Sequence, residues 1–340
     1  MKISIVGAGS WGSALALALA KVADITLYCR KDSQVATINQ QHKNPQFLPE
    51  GTTFSNNIVA TSNLDECVIA NLIIMATPLN ALRDTLLQLK PRITSKTQIP
   101  DFMVVCKGFE VNTGMLPHQI FKNVFSDVEN IPHYGTLLGP SFAQEVVYEL
   151  PTAITLSGNN LDFVFKWIDN FKTIPYFRVY AGDDVIGAEV GAGVKNIVAI
   201  AAGIVDGLSL GSNARAALIT RSLNELSTLV SNLGGNKNTI YGLTGLGDLI
   251  LTCTGDLSRN RQVGIELAKG KPLSEILNNL GHVAEGVYST NEVYQLSKKH
   301  GLDMPIVETV YNILNGKTDI KSSIIALFNR EPKLEFIKMR

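Results

Sequence analysis

A glycine-rich turn between a β-like run and a helical run is the feature that most constrains the fold of this chain. The run Ile3–Val6 is β-branched apart from one serine, and the uncharged stretch Ser13–Ala20 is rich in Ala and Leu. Between them the turn contains Gly7, Gly9 and Gly12. Glycines that carry a strand directly into a helix are typical of the first unit of a sheet flanked by helices. The sequence therefore predicts an α/β fold that begins at residue 2.

The same uncharged run can also be read as the apolar part of a secretory signal peptide, because Lys2 precedes it and small residues follow it. However, a signal peptide has no need of these glycines, and a membrane-spanning helix would be weakened by them. The four cysteines are scattered without a CxxC pair, which favours reduced thiols over disulfides or zinc ligation. We therefore expect a cytoplasmic protein with no metal and no membrane insertion.

Short apolar runs alternate with amphipathic stretches through the N-terminal half of the chain. The predicted strands are Lys2–Val6, Ile25–Cys29, Leu72–Met75, Phe102–Cys106 and Thr136–Leu138. Continuous apolar runs are typical of parallel strands buried on both faces, and Leu79–Leu89 between two of them has helical periodicity. The alternation predicts a Rossmann-type doubly wound parallel sheet.

Beyond about Asp183 the pattern becomes helical. The predicted helices are Val185–Val205, Asn213–Leu233, Ser258–Lys269, Glu285–Lys299 and Pro305–Asn315. Gly207 and Gly234 follow two of these runs as C-terminal caps should, and Ser212 and Ser258 precede two of them as N-caps should.

The length of 340 residues suggests about two domains. We predict a dinucleotide-binding Rossmann domain over residues 1–188 and an all-helical substrate-binding and catalytic domain over residues 189–334. Lys and Arg together number 30, as do Asp and Glu, so the formal net charge is zero. This balance argues against a nucleic-acid partner but leaves room for a local pocket that binds a small anion.

The glycine turn predicts a dinucleotide site, because Gly7, Gly9 and Gly12 allow a tight turn, close approach of a pyrophosphate and close helix–sheet packing. The second predicted strand is followed by Arg30 and Lys31, which attract a 2′-phosphate that a carboxylate would repel. The sequence therefore favours NADP(H). NAD(H) stays open as an alternative, because Asp32 is one residue away.

Lys195 is the strongest candidate for chemistry in the helical half. It lies in an otherwise apolar run, one turn after Gly191 and Ala192, so its amine has open space in front of it. Partial burial would lower the pKa of the amine and suit it to proton transfer. The alternative is a lysine that extends along an interface to reach water.

Lys107 and Gly139 each follow a predicted strand, where ligands of open α/β sheets bind. Lys107 can equally be an ordinary exposed loop lysine. Ser141 has a complete structural explanation as part of a capping box with Gln144. Asp248 follows a glycine-rich loop, and the sequence does not distinguish a residue that orients Lys195 or binds substrate from a simple N-cap.

Ser258 is a plausible N-cap, which places Arg259, Asn260 and Arg261 in the first helical turn. Positive charges there oppose the helix dipole at about 0.3–1 kcal/mol each. An anion bound at the same helix end would make the interaction with these positive charges favourable. A guanidinium, an amide and free N–H groups together suit a phosphate. The alternative is a pair of solvated arginines beside a cap.

With these residues in view, the sequence resembles the bacterial biosynthetic NAD(P)-dependent glycerol-3-phosphate dehydrogenases over nearly its whole length. The shared motifs are GAGSWG at Gly7, CKG around Lys107, GPSFAQE at Gly139, PTAI at Pro151, EVGAGVKNIVAIAAGIVDGL at Glu189, NARAALITR at Asn213, GLTGLGDLILTCTGDLSRNR at Gly242 and AEGV at Ala284. The chain departs from the family at four positions where most members carry Arg, Tyr, Gly and Gln, namely His42, Phe47, Glu50 and His282.

The resemblance implies a homodimeric enzyme that reduces dihydroxyacetone phosphate to sn-glycerol 3-phosphate for phospholipid synthesis, with Lys195 as the proton-transfer residue. Beside the three glycines, the residues implied to bind the cofactor are Ser10, Trp11, Arg30, Lys31, Lys107, Ala143, Arg259, Val283 and Glu285. Those implied to bind substrate are Lys107, Gly139, Ser141, Lys195, Asp248, Ser258, Arg259 and Asn260.

Two other functions remain as alternatives. A related two-domain hydroxyacid dehydrogenase would bind a carboxylate, and arginines at a helix start do not by themselves distinguish a carboxylate from a phosphate. A non-catalytic nucleotide-sensing protein could use the same sheet. That protein would have no reason to place Lys195 in an apolar helix that faces a glycine loop.

Overall fold

The structure is a computed structural model that describes residues 1–94, 98–280 and 284–331. Within these ranges eight strands form one sheet. They are β1 (Lys2–Val6), β2 (Asp24–Tyr28), β3 (Ile58–Thr61), β4 (Leu72–Met75), β5 (Asp101–Val104), β6 (Tyr134–Leu138), β7 (Thr152–Gly158) and β8 (Phe177–Gly182).

The α-helices lie on both faces of the sheet and, after β8, in a separate helical layer. They are α1 (Ser10–Leu19), α2 (Asp32–Gln41), α3 (Leu64–Cys67), α4 (Leu82–Thr94), α5 (Pro117–Val124), α6 (Ala143–Val147), α7 (Leu161–Phe171), α8 (Val185–Gly207), α9 (Ser212–Asn232), α10 (Asp248–Thr254), α11 (Arg259–Ala268), α12 (Leu273–Leu280), α13 (Glu285–Lys299), α14 (Pro305–Leu314) and α15 (Ile320–Phe328).

The strand order is β3-β2-β1-β4-β5-β6-β7-β8. Neighbouring strands are parallel, except that β6 and β7 are antiparallel. This confirms the predicted doubly wound sheet followed by a helical region. The antiparallel pair departs from the expected all-parallel sheet.

The carboxyl ends of the central strands lie level with one another. Val6 pairs with Tyr28 on one side and with Met75 on the other, and Met75 pairs with Val104. The glycine turn after β1 and the loops after β2, β4 and β5 therefore open at one edge of the sheet, where ligands of such folds bind.

Several predicted strand bounds were wrong. The strand predicted over Phe102–Cys106 ends at Val104, so Cys106 belongs to the loop that carries Lys107, and the strand predicted from Thr136 begins at Tyr134. Three strands, β3, β7 and β8, were not predicted. Strand β8 is an edge strand in which half of the residues are exposed, so it lacks the continuous apolar run of a buried parallel strand.

Two of the predicted helix caps were also wrong. Gly207 is the last residue of α8, and a Cβ there would lie 2.6 Å from that of Ala268, so this glycine serves close packing. Ser212 is the first residue of α9, and Gly211 is its N-cap. Gly234 has the positive φ of 84° expected after a helix, as predicted.

Helix α8 is the centre of the helical layer, and nearly all of it is buried. It crosses α11 so closely that a Cβ on Gly203 would lie 2.0 Å from the carbonyl oxygen of Arg261, and one on Gly264 would lie 2.0 Å from that of Ile200. The helix is long and apolar enough to cross a membrane, but 89% of its most apolar window is buried inside the protein, so packing accounts for that character.

A buried carboxylate joins α8 to the sheet. Glu189 accepts hydrogen bonds from the His118 backbone N–H (3.1 Å) and from the Tyr134 hydroxyl (2.5 Å), and its Oε2 lies 2.7 Å from His118 Nδ1. Only 1% of Glu189 is exposed. A buried carboxylate is costly unless it is fully hydrogen-bonded. This network therefore fixes where α8 sits against α5 and β6.

We expect Tyr134→Phe to lower the free energy of unfolding by about 1–3 kcal/mol, because a buried carboxylate oxygen would lose its donor. Urea unfolding followed by circular dichroism measures the change. Tyr180→Phe, on the exposed part of β8, is the matched control and should change stability by less than about 0.5 kcal/mol. Equal losses in the two variants would contradict the role of the Tyr134 hydroxyl.

Candidate active site

Two lysines converge on one buried carboxylate in the helical half. Lys195 Nζ donates to Asp248 Oδ1 (2.5 Å) and to the Thr252 hydroxyl (2.9 Å). Lys107 Nζ donates to Asp248 Oδ2 (2.8 Å) and makes a longer contact with the Gly139 carbonyl (3.4 Å). Asp248 is 1% exposed and Lys195 is 6% exposed. The two lysines and the aspartate, which the sequence suggested separately, therefore form one cluster.

The groups of this cluster come from two helices and a loop. Lys195 lies on α8, and Asp248 and Thr252 lie one turn apart on α10. Gly191 lets α8 approach the segment before α10, because a Cβ there would lie 2.7 Å from the carbonyl oxygen of Thr244. Lys107 reaches the cluster from the loop after β5. The site is thus formed where the sheet edge meets the helical layer.

The charges of the cluster shift one another's pKa values. Burial lowers the pKa of Lys195 to about 8, with Asp248 opposing the shift and Lys107 adding to it. Burial alone would raise the pKa of the Asp248 carboxyl, but the two ammonium groups outweigh it and hold that pKa below its usual range. Asp248 is therefore ionised at neutral pH, while Lys195 titrates within the range where a proton donor or acceptor is useful.

Asp248 is not a helix cap. It is the first residue of α10, whose N-cap is Gly247, and its side chain is used by the two lysines. The suggested capping box at Ser141 is also absent, because the N-cap of α6 is Phe142 and the Ser141 hydroxyl donates instead to the Gly139 carbonyl (3.0 Å). Sequence reasoning missed Thr252, although its spacing of four residues from Asp248 on a helix is a readable signal.

The start of α11 has the predicted cap and lies close to the start of α13. Ser258 accepts a hydrogen bond from the Arg261 backbone N–H (3.3 Å), and Asn260 Oδ1 accepts one from the Gly286 N–H (3.0 Å). Glu285 is partly buried, and burial raises the pKa of its carboxyl while Lys107, Lys195 and Arg259 oppose the shift. The exposed Arg259 and the two lysines therefore all lie close enough to Glu285 for their charges to lower the pKa of its carboxyl.

Arg261, the second of the two arginines at the start of α11, is held by carboxylates. Arg261 donates from Nε to Asp206 (2.8 Å) and from an Nη to Asp256 (3.0 Å), so its guanidinium is occupied by carboxylates. The alternative of two solvated arginines beside a cap is therefore wrong for Arg261. Arg261 instead holds the start of α11 against Asp206, which also accepts from Arg215 (2.7 Å).

The glycine turn has the shape of a cradle. A Cβ on Gly7 would lie 2.6 Å from the Ala76 carbonyl oxygen, and one on Gly12 would lie 1.9 Å from the Gly7 carbonyl oxygen. A Cβ on Gly9 would meet no heavy atom within 4 Å, so space is open on that side of the turn. Helix α1 has no acidic residue in its first turn and no side-chain cap. The residues present therefore fit a pyrophosphate held by backbone N–H groups.

The other predicted cofactor residues lie around the same sheet edge. Arg30 and Lys31 follow β2 and are exposed, and Asp32 is the first residue of α2, where a carboxylate is favoured by the helix dipole. Ser10 and Trp11 begin α1, and Ala143 begins α6, which packs against α1. Val283 and the neighbouring His282 lie outside the described residues.

Among residues 1–94, 98–280 and 284–331, no group of three or more His, Cys, Asp or Glu side chains is placed to hold a metal ion. Cys29, Cys67, Cys106 and Cys253 are free and buried, as the reduced thiols expected from the sequence would be.

Comparisons with known proteins agree with this geometry. Residues 2–164 match the family of the NAD-dependent glycerol-3-phosphate dehydrogenase N-terminus, and residues 184–325 match that of its C-terminus. The chain is 43% identical to a glycerol-3-phosphate dehydrogenase [NAD(P)+] of Aromatoleum aromaticum, over 98% of this chain and 100% of that protein. It is 45% identical to the one of Janthinobacterium sp., over 98% and 99% of the two chains.

A solved glycerol-3-phosphate dehydrogenase from Coxiella burnetii has the same architecture. It is 38% identical, covers 97% of this chain and 99% of its own, and superposes with a TM-score of 0.90. With both halves matched and the whole length shared, the chain belongs to the NAD-dependent glycerol-3-phosphate dehydrogenase family.

Proposed function

We propose that this protein reduces dihydroxyacetone phosphate to sn-glycerol 3-phosphate with NAD(P)H. The observation that carries the proposal is the buried Lys195 ammonium, held at Asp248 beside Lys107 where the sheet edge meets the helical layer. Family membership argues against a hydroxyacid dehydrogenase and against a nucleotide sensor without catalytic groups.

Lys195 serves as the proton donor in reduction. An ammonium has three N–H donors, and Asp248 and Thr252 accept from two of them, which leaves one for the carbonyl oxygen of the substrate. NAD(P)H bound at the glycine turn would supply the hydride for C2 of the ketone. Charge that develops on the oxygen is stabilised by Lys195, which then gives up a proton, and positioned proton transfer of this kind contributes about 10²–10⁴ in rate. In the reverse direction the neutral amine accepts the proton of the hydroxyl.

The rest of the substrate site favours a phosphate. Ser258, Arg259 and Asn260 begin α11, where backbone N–H groups and the helix dipole attract an anion. Lys107 and Lys195 together exceed the charge of Asp248, so the cluster is net positive. A phosphate bound at α11 would orient the carbonyl toward Lys195, which turns binding energy into alignment. Gly139 and Ser141 complete the proposed substrate residues.

The proposed cofactor site lies at the carboxyl edge of the sheet. Its residues are Gly7, Gly9, Ser10, Trp11, Gly12, Arg30, Lys31, Lys107, Ala143, Arg259, Val283 and Glu285, of which Val283 is outside the described ranges. We infer a preference for NADP(H), because the exposed Arg30 and Lys31 suit a 2′-phosphate. We further propose a cytoplasmic homodimer that supplies glycerophospholipid synthesis, with domains over residues 1–188 and 189–334.

The direct test is the loss of NADPH absorbance when dihydroxyacetone phosphate is added to the purified protein. We expect turnover, and a higher kcat/KM for NADPH than for NADH. No turnover with either cofactor would refute the proposed reaction. A clear preference for NADH would refute only the proposed role of Arg30 and Lys31.

The pH dependence should follow Lys195. Because its pKa is about 8 and reduction needs the protonated amine, kcat/KM for reduction should fall above about pH 8, while that for oxidation should rise. Asp248→Asn removes the anion that favours the ammonium, so the midpoint should move to lower pH. Lys107→Met removes a positive charge that disfavours the Lys195 ammonium, so the midpoint of the pH profile should move to higher pH. Shifts in the same direction for the two variants would contradict this assignment.

The cradle predicts opposite outcomes at two glycines. Gly9→Ala should leave the melting temperature of the ligand-free protein unchanged but raise the KM for NADPH, because the added methyl group enters only the open space. Gly12→Ala should destabilise the fold, because its Cβ would overlap the Gly7 carbonyl oxygen. Thermal unfolding and cofactor titration measure the two effects. Normal NADPH affinity in Gly9→Ala would argue against a cofactor at this turn.

Arg259→Ala should raise the KM for dihydroxyacetone phosphate by about 10-fold or more, because a charge-assisted hydrogen bond to phosphate contributes about 1.5–3 kcal/mol. Activity on unphosphorylated dihydroxyacetone should change little. Arg221→Ala, an exposed arginine of α9, is the control. An equal loss on both ketones would contradict a phosphate contact.

A further inference from the structure

The carbonyl group of Ala8, inside the glycine turn, is held by two amide side chains. Asn44 Nδ2 donates to the Ala8 oxygen (3.1 Å), and Gln34 Nε2 donates to the same oxygen (2.9 Å). Neither residue was selected from the sequence, and neither belongs to the cofactor or substrate residues named above. The hydrogen bond from Asn44 is buried and the one from Gln34 is partly buried.

Asn44 has a partner for each of its polar atoms. Its Nδ2 also donates to the Ser13 hydroxyl (2.9 Å) in the first turns of α1, and its Oδ1 accepts from Gln34 Nε2 (3.2 Å). Asn44 is 3% exposed. The amide therefore links the turn, α1 and α2, and it has one orientation that satisfies all three contacts. We call Asn44 and Gln34 the amide clamp.

The clamp fixes the direction of a peptide group. The peptide bonds of the described residues include no cis bond, and in a trans peptide the C=O and the next N–H point in opposite directions. Because the clamp holds the Ala8 oxygen toward Asn44 and Gln34, the Gly9 N–H points away from these two side chains. The space beside this peptide is open, since a Cβ on Gly9 would meet no heavy atom within 4 Å. A rotated peptide would instead present the Ala8 oxygen there, and a carbonyl oxygen repels a phosphate.

We propose that Asn44 and Gln34 are positioning residues for the cofactor pyrophosphate, which act by holding the peptide between Ala8 and Gly9 with its N–H toward the phosphate. The inference rests on the proposed cofactor site at this turn. The clamp places the donor before the cofactor arrives, so binding need not reorganise the turn. The sequence gives no local sign of this, because Asn44 lies 36 residues from Ala8.

The clamp also separates two kinds of cofactor contact. The pyrophosphate is common to NADPH and NADH, whereas the 2′-phosphate that Arg30 and Lys31 are proposed to bind is present only in NADPH. Loss of the clamp should therefore weaken the binding of NADPH and of NADH by the same factor. Loss of Arg30 should weaken the binding of NADPH alone.

The test compares Asn44→Ala with Asn57→Ala in the full-length protein. Asn57 is a matched control, because its Nδ2 donates to two backbone carbonyls, of Ala20 and Ala23, at the other end of α1. Both variants should lower the melting temperature of the ligand-free protein. Only Asn44→Ala should raise KM for NADPH and for NADH, each by about 5–10-fold, and reduce the rise in melting temperature that NADPH produces. Its KM for dihydroxyacetone phosphate should change less than two-fold.

Gln34→Ala provides a second variant if Asn44→Ala does not fold. Gln34 is only partly buried, and its substitution removes one of the two donors to the Ala8 oxygen. It should raise both cofactor KM values by about 2–5-fold. Unchanged cofactor KM values in a folded Asn44→Ala or Gln34→Ala protein, or an equal cofactor defect in Asn57→Ala, would overturn the proposal. A wild-type protein that binds neither NADPH nor NADH would instead refute the proposed function.

Discussion

A single buried carboxylate that accepts hydrogen bonds from two ammonium groups is the interaction on which the site depends. Asp248 accepts from Lys195 and from Lys107, and all three are shielded from water to a large extent. Taking charges out of water costs several kcal/mol per ion, so Asp248 is needed to hold the two ammonium groups there, and they in turn keep its carboxyl ionised. The arrangement leaves one positive charge in excess, at a place where an anionic substrate would add the missing negative charge.

The fold brings this cluster together by close backbone approach. Gly191 lets α8 contact the segment before α10, and Gly203 and Gly264 let α8 cross α11 at a distance that side chains would prevent. Glu189 holds α8 to β6 and α5. The same helix therefore positions Lys195 relative to the sheet edge, to Asp248 and to the start of α11. An apolar helix of this length is explained by these contacts, because it is packed on nearly every side.

Polar and charged groups outside the cluster hold the starts of helices at which ligands are proposed to bind. Arg261 lies in the same helical turn as Arg259, and its guanidinium donates to Asp206 and Asp256. Its role is to anchor the first turn of α11 and to offset its own unfavourable position near a helix N-terminus. The amide clamp at Ala8 does comparable work at the other helix start, with neutral groups.

Local sequence determined much of this protein. The glycine turn, the apolar runs and the helical periodicity placed β1, β4 and α13 with the bounds that the structure has, and small residues before Lys195 marked it as unusual. These features are readable because strand and helix periods depend on near neighbours. Edge strand β8 was missed because its exposed side chains follow no buried pattern.

Only the tertiary structure decided which charges meet. Asp248 lies 53 residues from Lys195 and 141 from Lys107, and no local spacing links them. The same holds for Arg261 with Asp206 and for Asn44 with Ala8, which are 55 and 36 residues apart. Ion pairs and hydrogen bonds between distant residues depend on the path of the whole chain. The sequence thus set the elements and the reactive residue types, while packing selected the partners that give those residues their protonation state and direction.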